Sequence, residues 1–441
     1  MKPWGWAAAG ALLWASGAQA ATVSVAFEGV RSGQGNVLAQ LCNDPATFMR
    51  SCSTKQGLAK AVAGETVVVF QDVAPGRYAL SAFHDENGDF RAEVPPEGYA
   101  FGNGAGYPPT FESASFEVAG DVRVTASMTY LGGAAPAVES HGVAAPAGVT
   151  RVDVRQDGLY GELYLPASGT KRLPAILVVG GSEGGLDTIS GMAADFASKG
   201  YAALALAYWR APGLPQTLEL IPLEYFDKAV AWLKARPDVD PGAIGAIGWS
   251  RGSEAVLLLA ARNPDVHAVV GVAPSGIVWK GLNFANIPAS RGAWTAGGQP
   301  LAFATPAEAL YRPDSPMRGL FVSTMADVDK HPETEIPIEK IDGPVLFLSG
   351  SDDHLWPSQL LAERMMARLK ARGFRHSYAH LTYAGAGHVV FVGAPDGAMA
   401  KAMGEPSPML GGSAEADATA WADNWPKVLA FYAKALKGGS R

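Results

Sequence analysis

The chain is poor in charge, in cysteine and in long apolar runs. Only 17% of its 441 residues are Asp, Glu, Lys or Arg, and the formal net charge is −7. A sparsely charged, acidic chain offers no basic surface, so we expect no nucleic-acid partner. Since 48% of the residues are hydrophobic, the chain can bury a large core, and its length indicates two domains.

The longest apolar run of the chain lies at its N-terminus. Lys2 precedes the run Trp4 to Trp14, and Ala18-Gln19-Ala20 then forms a small-x-small pattern typical of signal-peptide cleavage. A membrane-spanning helix needs about 20 apolar residues, and this run is shorter. We therefore expect a signal peptide over 1–20, cleavage near Ala20, export to the periplasm or medium, and no transmembrane segment.

Cysteine occurs twice, as Cys42 and Cys52. Two cysteines close in sequence can pair in an exported protein, and two unpaired thiols are the alternative. We expect a disulfide between them and give neither a catalytic role. We also expect no metal ion and no cofactor.

Composition divides the rest of the chain into two domains and a linker. Residues 21–131 alternate β-branched segments with turns such as Pro75-Gly76, a pattern typical of a small antiparallel sandwich. Residues 132–149 are mainly Ala, Gly and Pro and indicate a linker. Over 150–441, apolar strands alternate with helices, which predicts a mostly parallel sheet with helices on both faces. A Pro- and Gly-rich insertion is expected at about 276–340.

The second domain contains a candidate nucleophile. Gly248-Trp249-Ser250-Arg251-Gly252 is a G-x-S-x-G, a motif that also arises by chance. Here it follows an apolar strand and precedes a helix, the setting of a nucleophile elbow. We expect Ser250 to be a nucleophile, against the alternative of a serine in a glycine-rich turn.

A serine nucleophile needs a base, and the base needs an orienting acid further along the chain. In this fold the order is Ser, then Asp or Glu, then His. Asp353 follows a predicted strand at the usual place, with Asp352 as the alternative that the sequence leaves open. His388 follows the last predicted strand within a Gly-Ala-Gly turn and is the expected base.

An oxyanion hole requires two backbone N–H groups. Arg251, the residue after the nucleophile, is expected to supply one. The other should follow the strand that ends at Val179, where the chain reads GGSEGG. Ser182 or Gly181 is the expected second donor.

Longer segments resemble a known family. LPAILVVGGSEGG (173–185), LIPLEYFDKAVAWL (220–233) and PVLFLSGSDDHLWPS (344–358) are similar to the C-terminal catalytic domain of acyl-CoA thioesterases and bile acid-CoA:amino acid N-acyltransferases. The resemblance, over about 150–440, implies an α/β-hydrolase fold with Ser250, Asp353 and His388 as the triad. Some members use cysteine and favour acyl transfer, so Ser250 implies hydrolysis.

Two further points follow from the resemblance. Ser253 replaces the Gly or Ala common in the family, and we expect it to be a packing residue. The segment PGRYALSAFHDENGDF (75–90) resembles a domain of unknown function in exported bacterial proteins, which implies an immunoglobulin- or transthyretin-like sandwich.

Taken together, these patterns predict a serine hydrolase that cleaves a small-molecule acyl ester or thioester through an acyl-enzyme on Ser250. The alternatives are an exported serine peptidase of the same fold and a non-catalytic cell-envelope binding protein. The family implies acyl-CoA, whereas a signal peptide implies a substrate outside the cytoplasm. The acyl group, the leaving group and the oligomeric state therefore stay open.

Overall fold

The structure, a computed structural model, describes residues 20–49, 52, 54–86, 98–106, 109–130, 145–167, 172–283, 290–306, 317–390, 393–394 and 410–437. The chain divides into two compact units, Met1–Leu131 and Gly132–Arg441. The expected signal peptide, apart from Ala20, and most of the expected linker lie outside the described residues. Of the helices that the structure describes, none is both long and apolar enough to cross a membrane.

The first unit is built from β-strands. They are β1 (Ala21–Val30), β2 (Asn36–Cys42), β3 (Lys55–Lys60), β4 (Gly64–Val73), β5 (Gly76–Asp85), β6 (Gly98–Phe101), β7 (Ser115–Val118), β8 (Val122–Ser127) and β9 (Thr129–Tyr130), with a 3-10 turn at Gly102–Gly104. One sheet has the order β4-β1-β8, and the other has the order β3-β2-β5-β6-β9 with β7 beside β5.

The two sheets share one core, which confirms the all-β fold expected for this unit. Val25 and Phe27 from β1 are fully buried together with Val37 from β2 and Leu80 from β5. One detail differs from the antiparallel sandwich that we expected, because β8 runs parallel to β1. Residues 122–130 alternate like one continuous strand, but the strand breaks at the buried Met128, and its two parts, β8 and β9, join different sheets.

The two cysteines of the first unit are joined. Cys42 ends β2 and forms a disulfide with Cys52. Both lie in a small buried cluster with Phe48 and Phe111. The disulfide therefore ties the connection between β2 and β3 to the end of the sandwich core.

The second unit contains eleven strands and six helices among its described residues. The strands are β10 (Val149–Val154), β11 (Tyr160–Pro166), β12 (Leu173–Val179), β13 (Ala202–Ala207), β14 (Ile221–Pro222), β15 (Val239–Trp249), β16 (Ala268–Val272), β17 (Trp294–Ala296), β18 (Gln299–Pro300), β19 (Val345–Gly350) and β20 (Tyr378–Tyr383). The helices are α1 (Asp187–Ser198), α2 (Leu223–Lys234), α3 (Arg251–Arg262), α4 (Met317–Val328), α5 (Ser358–Ala371) and α6 (Ala414–Tyr432). Short helical turns lie at Pro332–Thr334, Ile338–Lys340 and Ala433–Lys437.

One eight-stranded sheet forms the centre, in the order β10-β11-β13-β12-β15-β16-β19-β20. The first three strands pair antiparallel and the others parallel. Helices α2, α3 and α5 pack on one face, and α1 and α6 on the other. Strands covered on both faces are fully apolar, which is why β12, β13 and β16 read as bare apolar runs. The predicted α/β-hydrolase architecture is confirmed.

Two regions carry structure that the sequence did not indicate. The hairpin of β10 and β11 begins at Val149, the last residue of the expected linker. Its outer strand is mostly exposed and so lacks an apolar pattern. Within the expected insertion, β17 and β18 form a small sheet with β14, and Trp279 packs with Phe321 of α4 and Trp356.

Candidate active site

Ser250 lies between β15 and α3, on a sharply bent backbone. Its φ of 54° falls in the left-handed region, which a residue with a Cβ adopts only under strain. A Cβ at Gly248 would overlap the carbonyl of Gly252, and a Cβ at Gly252 would overlap the carbonyl of Gly180. Both glycines are therefore required by close backbone contacts around the elbow.

The structure brings Ser250, His388 and Asp353 together in the predicted order. His388 Nε2 lies 2.9 Å from Ser250 Oγ, and His388 Nδ1 lies 2.9 Å from Asp353 Oδ2. All three residues are buried, with at most 3% of their surface exposed. Burial in a region of low dielectric strengthens both hydrogen bonds.

The geometry separates the two candidate acids. Asp353 Oδ1 accepts the backbone N–H groups of Leu355 at 3.0 Å and Trp356 at 3.1 Å, which leaves Oδ2 for His388. The Asp352 side chain is 49% exposed and pairs with His354 at 3.0 Å. Asp353, not Asp352, faces the imidazole because the loop after β19 turns its side chain inward.

Two tryptophans hold the imidazole from its sides. The rings of Trp249 and Trp356 lie 5.5 and 5.8 Å from the His388 ring, centre to centre. Trp249 Nε1 donates to the carbonyl of His388 at 3.1 Å, and Trp356 Nε1 donates to the carbonyl of Ala273 at 3.1 Å. The two tryptophan rings therefore restrict the His388 ring, and the hydrogen bond from Trp249 restricts its backbone.

The loop after β12 distinguishes between the two candidate oxyanion donors. The Gly181 N–H already donates to Glu183 Oε1 at 2.8 Å. The Gly181 carbonyl accepts from Tyr208 Oη at 3.1 Å and from Trp209 Nε1 at 3.2 Å. Because a trans peptide points its N–H opposite to its carbonyl, the Ser182 N–H points away from these two rings. Neither Ser182 N–H nor Arg251 N–H has an acceptor among the described residues.

The side chain of Arg251 was not part of the predicted site, yet it is buried beneath it. Arg251 Nη1 forms an ion pair with Glu254 Oε1 at 3.0 Å, and Nη2 donates to the carbonyl of Trp279 at 3.2 Å. Glu254 Oε2 accepts from Trp294 Nε1 at 3.0 Å. Burial raises the pKa of Glu254 to about 7, against the opposing charge of Arg251. This pair connects the start of α3 to the segment that carries Trp279 and Trp294.

Ser253 makes polar contacts that the resemblance to the family did not predict. Its Oγ donates to the carbonyl of Ser250 at 2.6 Å and accepts the Ser275 N–H at 3.3 Å. Gly or Ala could fill the same space but could not make these bonds. The expected packing residue therefore also links the backbone of Ser250 to the connection after β16.

Glu183 is a second polar group that sequence reasoning missed. Burial raises the pKa of its carboxyl group to about 7; the backbone N–H groups of Glu183 and Gly181, and the nearby His388 and Arg210, act in the opposite direction. The available signal was an acidic residue inside a glycine-rich loop directly after a buried strand. Perturbed carboxyl groups of this kind are frequent at functional sites.

The arrangement provides the parts for acyl transfer. It has a hydroxyl next to an imidazole, an acid on the far side of that imidazole, and two backbone N–H groups without an acceptor, one in the loop after β12 and one at the start of α3. No group of three His, Cys, Asp or Glu residues suited to a metal ion occurs in the described part of the chain.

Comparison with known proteins gives two family matches. Residues 221–438 match the family described as "BAAT / Acyl-CoA thioester hydrolase C terminal". Residues 25–125 match "Uncharacterized protein conserved in bacteria (DUF2141)". The two matches fall in different compact units of the chain.

Individual relatives are similar over about two thirds of the chain. Acyl-coenzyme A amino acid N-acyltransferase 1 of Mus musculus is 32% identical over 304 residues, covering 67% of this chain and 67% of that protein. Acyl-coenzyme A thioesterase 1 of Homo sapiens is 31% identical over 304 residues, covering 66% and 67%. Among solved structures, esterase B from Lactobacillus rhamnosis aligns at 14% identity with a TM-score of 0.38, covering 67% of this chain and 88% of its own.

Proposed function

The chain belongs to the BAAT / acyl-CoA thioester hydrolase family, and on that premise we propose that it hydrolyses acyl esters or thioesters through an acyl-enzyme on Ser250. The observation that carries the proposal is the pair of 2.9 Å contacts that join Ser250, His388 and Asp353. Ser250 is the nucleophile, His388 the base and Asp353 the orienting acid.

In the first half-reaction, Ser250 Oγ attacks the acyl carbonyl carbon. His388 Nε2 takes the hydroxyl proton, and the carbonyl π electrons move onto oxygen. Asp353 holds the imidazole by Nδ1 and stabilises the cation that forms. When the tetrahedral intermediate collapses, the bond to the leaving group breaks, and His388 returns the proton to the departing oxygen or sulfur.

The oxyanion of this intermediate is stabilised by the N–H groups of Arg251 and Ser182. Gly181 is the weaker candidate because its N–H is held by Glu183. Donors that are already oriented add to the rate because they need not reorganise as charge develops.

In the second half-reaction, water attacks the acyl-enzyme with His388 as the base, and Ser250 regains its proton. The relatives include proteins named as thioesterases and a protein named as an amino acid N-acyltransferase. We propose water as the acceptor because a serine ester is less reactive toward amines than a thioester on cysteine. If a reaction that contains a free amino acid yields more N-acyl amino acid than free acid, the activity is instead acyl transfer to the amine.

The substrate class depends on location. The N-terminal pattern leads us to propose export, which places the protein apart from cytosolic acyl-CoA. We therefore propose a carboxyl ester or thioester available outside the cytoplasm, with an exported serine peptidase as the second enzyme candidate because of the G-W-S-x-G motif. Values of kcat/KM for p-nitrophenyl acyl esters, acyl-CoAs and peptide amides distinguish the classes. A marked preference for amides would replace the esterase assignment.

Covalent labelling tests the nucleophile directly. A fluorophosphonate probe should label the wild-type protein, and Ser250→Ala should abolish labelling because no other activated hydroxyl faces His388 in the described site. Ser198→Ala serves as the matched control, since that exposed hydroxyl at the end of α1 donates to the Asp195 carbonyl, and its removal should leave labelling in place. Equal labelling of wild type and Ser250→Ala would refute the assignment, and no labelling of either would favour a non-catalytic binding protein.

A further inference from the structure

A carboxylate lies beside the candidate nucleophile. Gly181 lies next to the two groups: if it carried a Cβ, that atom would be 2.8 Å from Glu183 Oε2 and 2.9 Å from Ser250 Cβ. The carboxylate oxygen and the serine side chain are thus both close neighbours of the Gly181 backbone, and their separation is at most the sum of these two distances. An acyl group attached to Ser250 would lie within reach of this oxygen.

The two oxygens of Glu183 differ in their partners. Oε1 accepts the Gly181 N–H at 2.8 Å. The backbone N–H of Glu183 itself also acts on the carboxylate, but no side chain among the described residues donates to Oε2. Arg210 approaches the same residue, but its Nη1 donates at 3.4 Å to the Glu183 carbonyl instead of the carboxylate. The carboxylate can therefore accept one more donor or cation.

Three titratable groups from other segments face Glu183. His388 follows β20, and Arg210 follows β13; both lower the pKa of Glu183, which burial raises to about 7. Tyr208 donates its hydroxyl to the carbonyls of Gly180 and Gly181, and burial together with the Glu183 charge raises its pKa well above the usual value, so the phenol stays neutral. Glu183 is thus neutral below about pH 7 and negative above it.

We propose that Glu183 makes the acyl site selective for acyl groups that carry a positive charge close to the scissile carbonyl. The inference rests on the proposed function, since it names the class of acyl group that Ser250 would attack. A partly desolvated carboxylate stabilises a neighbouring cation more strongly than the same carboxylate would in water. A neutral acyl group gains nothing from the charge, so ionisation of Glu183 separates the two classes.

The test compares two p-nitrophenyl esters of the same shape, 4-(trimethylammonio)butanoate and 5,5-dimethylhexanoate. Neither acyl group titrates, so any pH dependence of their kcat/KM ratio comes from the protein. After correction for spontaneous hydrolysis, we expect the wild type to favour the cationic ester by about tenfold at pH 8. The preference should fall several-fold by pH 6, as Glu183 takes up a proton.

Glu183→Gln is the decisive variant, because the amide oxygen can still accept the Gly181 N–H. We expect its ratio of the two esters to be near one and independent of pH. Asp187→Asn, an exposed carboxylate in the first turn of α1, should keep the wild-type ratio. If the Gln variant does not fold, the pH dependence of the ratio of kcat/KM for the two esters in the wild type alone tests the proposal.

The outcomes separate the inference from the function. If Glu183→Gln slows both esters equally, Glu183 only holds the loop, and the proposed selectivity is wrong. A wild-type ratio that does not change between pH 6 and pH 8 would also overturn it, even with Ser250 fully active. If neither ester is hydrolysed and the fluorophosphonate probe does not label Ser250, the proposed function fails, and the inference fails with it.

Discussion

At the scale of single residues, neighbouring carboxylates in one loop have different surroundings. Asp353 is buried and accepts two backbone N–H groups besides its contact with His388. Asp352 is half exposed and pairs with His354 and the Gly412 N–H. Only the buried carboxylate can select the tautomer of the imidazole.

This difference predicts unequal effects of two matched substitutions. Asp353→Asn should lower kcat of ester hydrolysis by about 10³- to 10⁴-fold, because the amide can favour the wrong tautomer of His388. Asp352→Asn should leave kcat within about twofold, as expected for an exposed side chain. Steady-state kinetics with a p-nitrophenyl ester measure both. A larger loss for Asp352→Asn would move the acid to that residue.

The same residue scale shows what the sequence can and cannot predict about the site. Ser250 was predictable because it lies between an apolar strand and a helix, and His388 because it follows the last predicted strand in a Gly-Ala-Gly turn. The choice between Ser182 and Gly181 was not, since it depends on which way one peptide group points. Glu183 was missed because its effect comes from burial, which one sequence does not reveal.

At the scale of elements, α3 is held at its first turn by a buried ion pair. Arg251 and Glu254 are almost completely buried and bond to the backbone of Trp279 and the side chain of Trp294. Removing one partner of such a pair leaves a buried charge uncompensated, whereas removing both can be far less harmful.

A double-mutant cycle tests this link at pH 8, above the pKa of about 7 to which burial raises Glu254. Glu254→Leu should lower the free energy of unfolding by about 3 kcal/mol, because Arg251 loses its buried counter-ion, and Arg251→Met should cause a similar loss by leaving Glu254 unpaired. The double variant Arg251→Met/Glu254→Leu should lose less than the sum of the two single losses. Urea unfolding followed by tryptophan fluorescence measures the wild type, the two single variants and the double variant. Additive losses would mean that the two side chains act independently.

Elements also differed in how well their positions could be predicted. The central strands β12, β13 and β16 are buried on both faces, so their sequences are continuous apolar runs. The outer strands β3 and β10 were not predicted, because β3 has no buried position and β10 is buried only at its two ends, so neither shows an apolar run. Burial alone was not decisive, because β11 is mostly buried yet was not predicted, whereas the partly exposed β20 was.

At the scale of the whole molecule, the chain has two units with separate cores. The sandwich core is formed by residues of β1 to β8, and the two large cores of the second unit lie on opposite faces of its sheet. The disulfide belongs to the first unit, in a cluster of its own.

Removing the disulfide should therefore affect one unit. Cys42→Ser/Cys52→Ser should reduce the stability of the sandwich by about 2–3 kcal/mol, because the short loop gains freedom in the unfolded state. Hydrogen exchange read by mass spectrometry should show faster exchange in peptides of β1, β2 and β5. Peptides of β12 and β15, together with labelling of Ser250, should stay at wild-type values. Equal acceleration in both sets would mean that the two units unfold as one.

The contact between Ser250 and His388 joins residues that are 138 positions apart in the chain. Contacts between such distant segments form late when loop closure limits the folding rate. Reactivity of Ser250 during refolding would thus appear only after the last strand of the sheet has docked. The return of activity during refolding therefore marks completion of the sheet and not the first collapse of the chain.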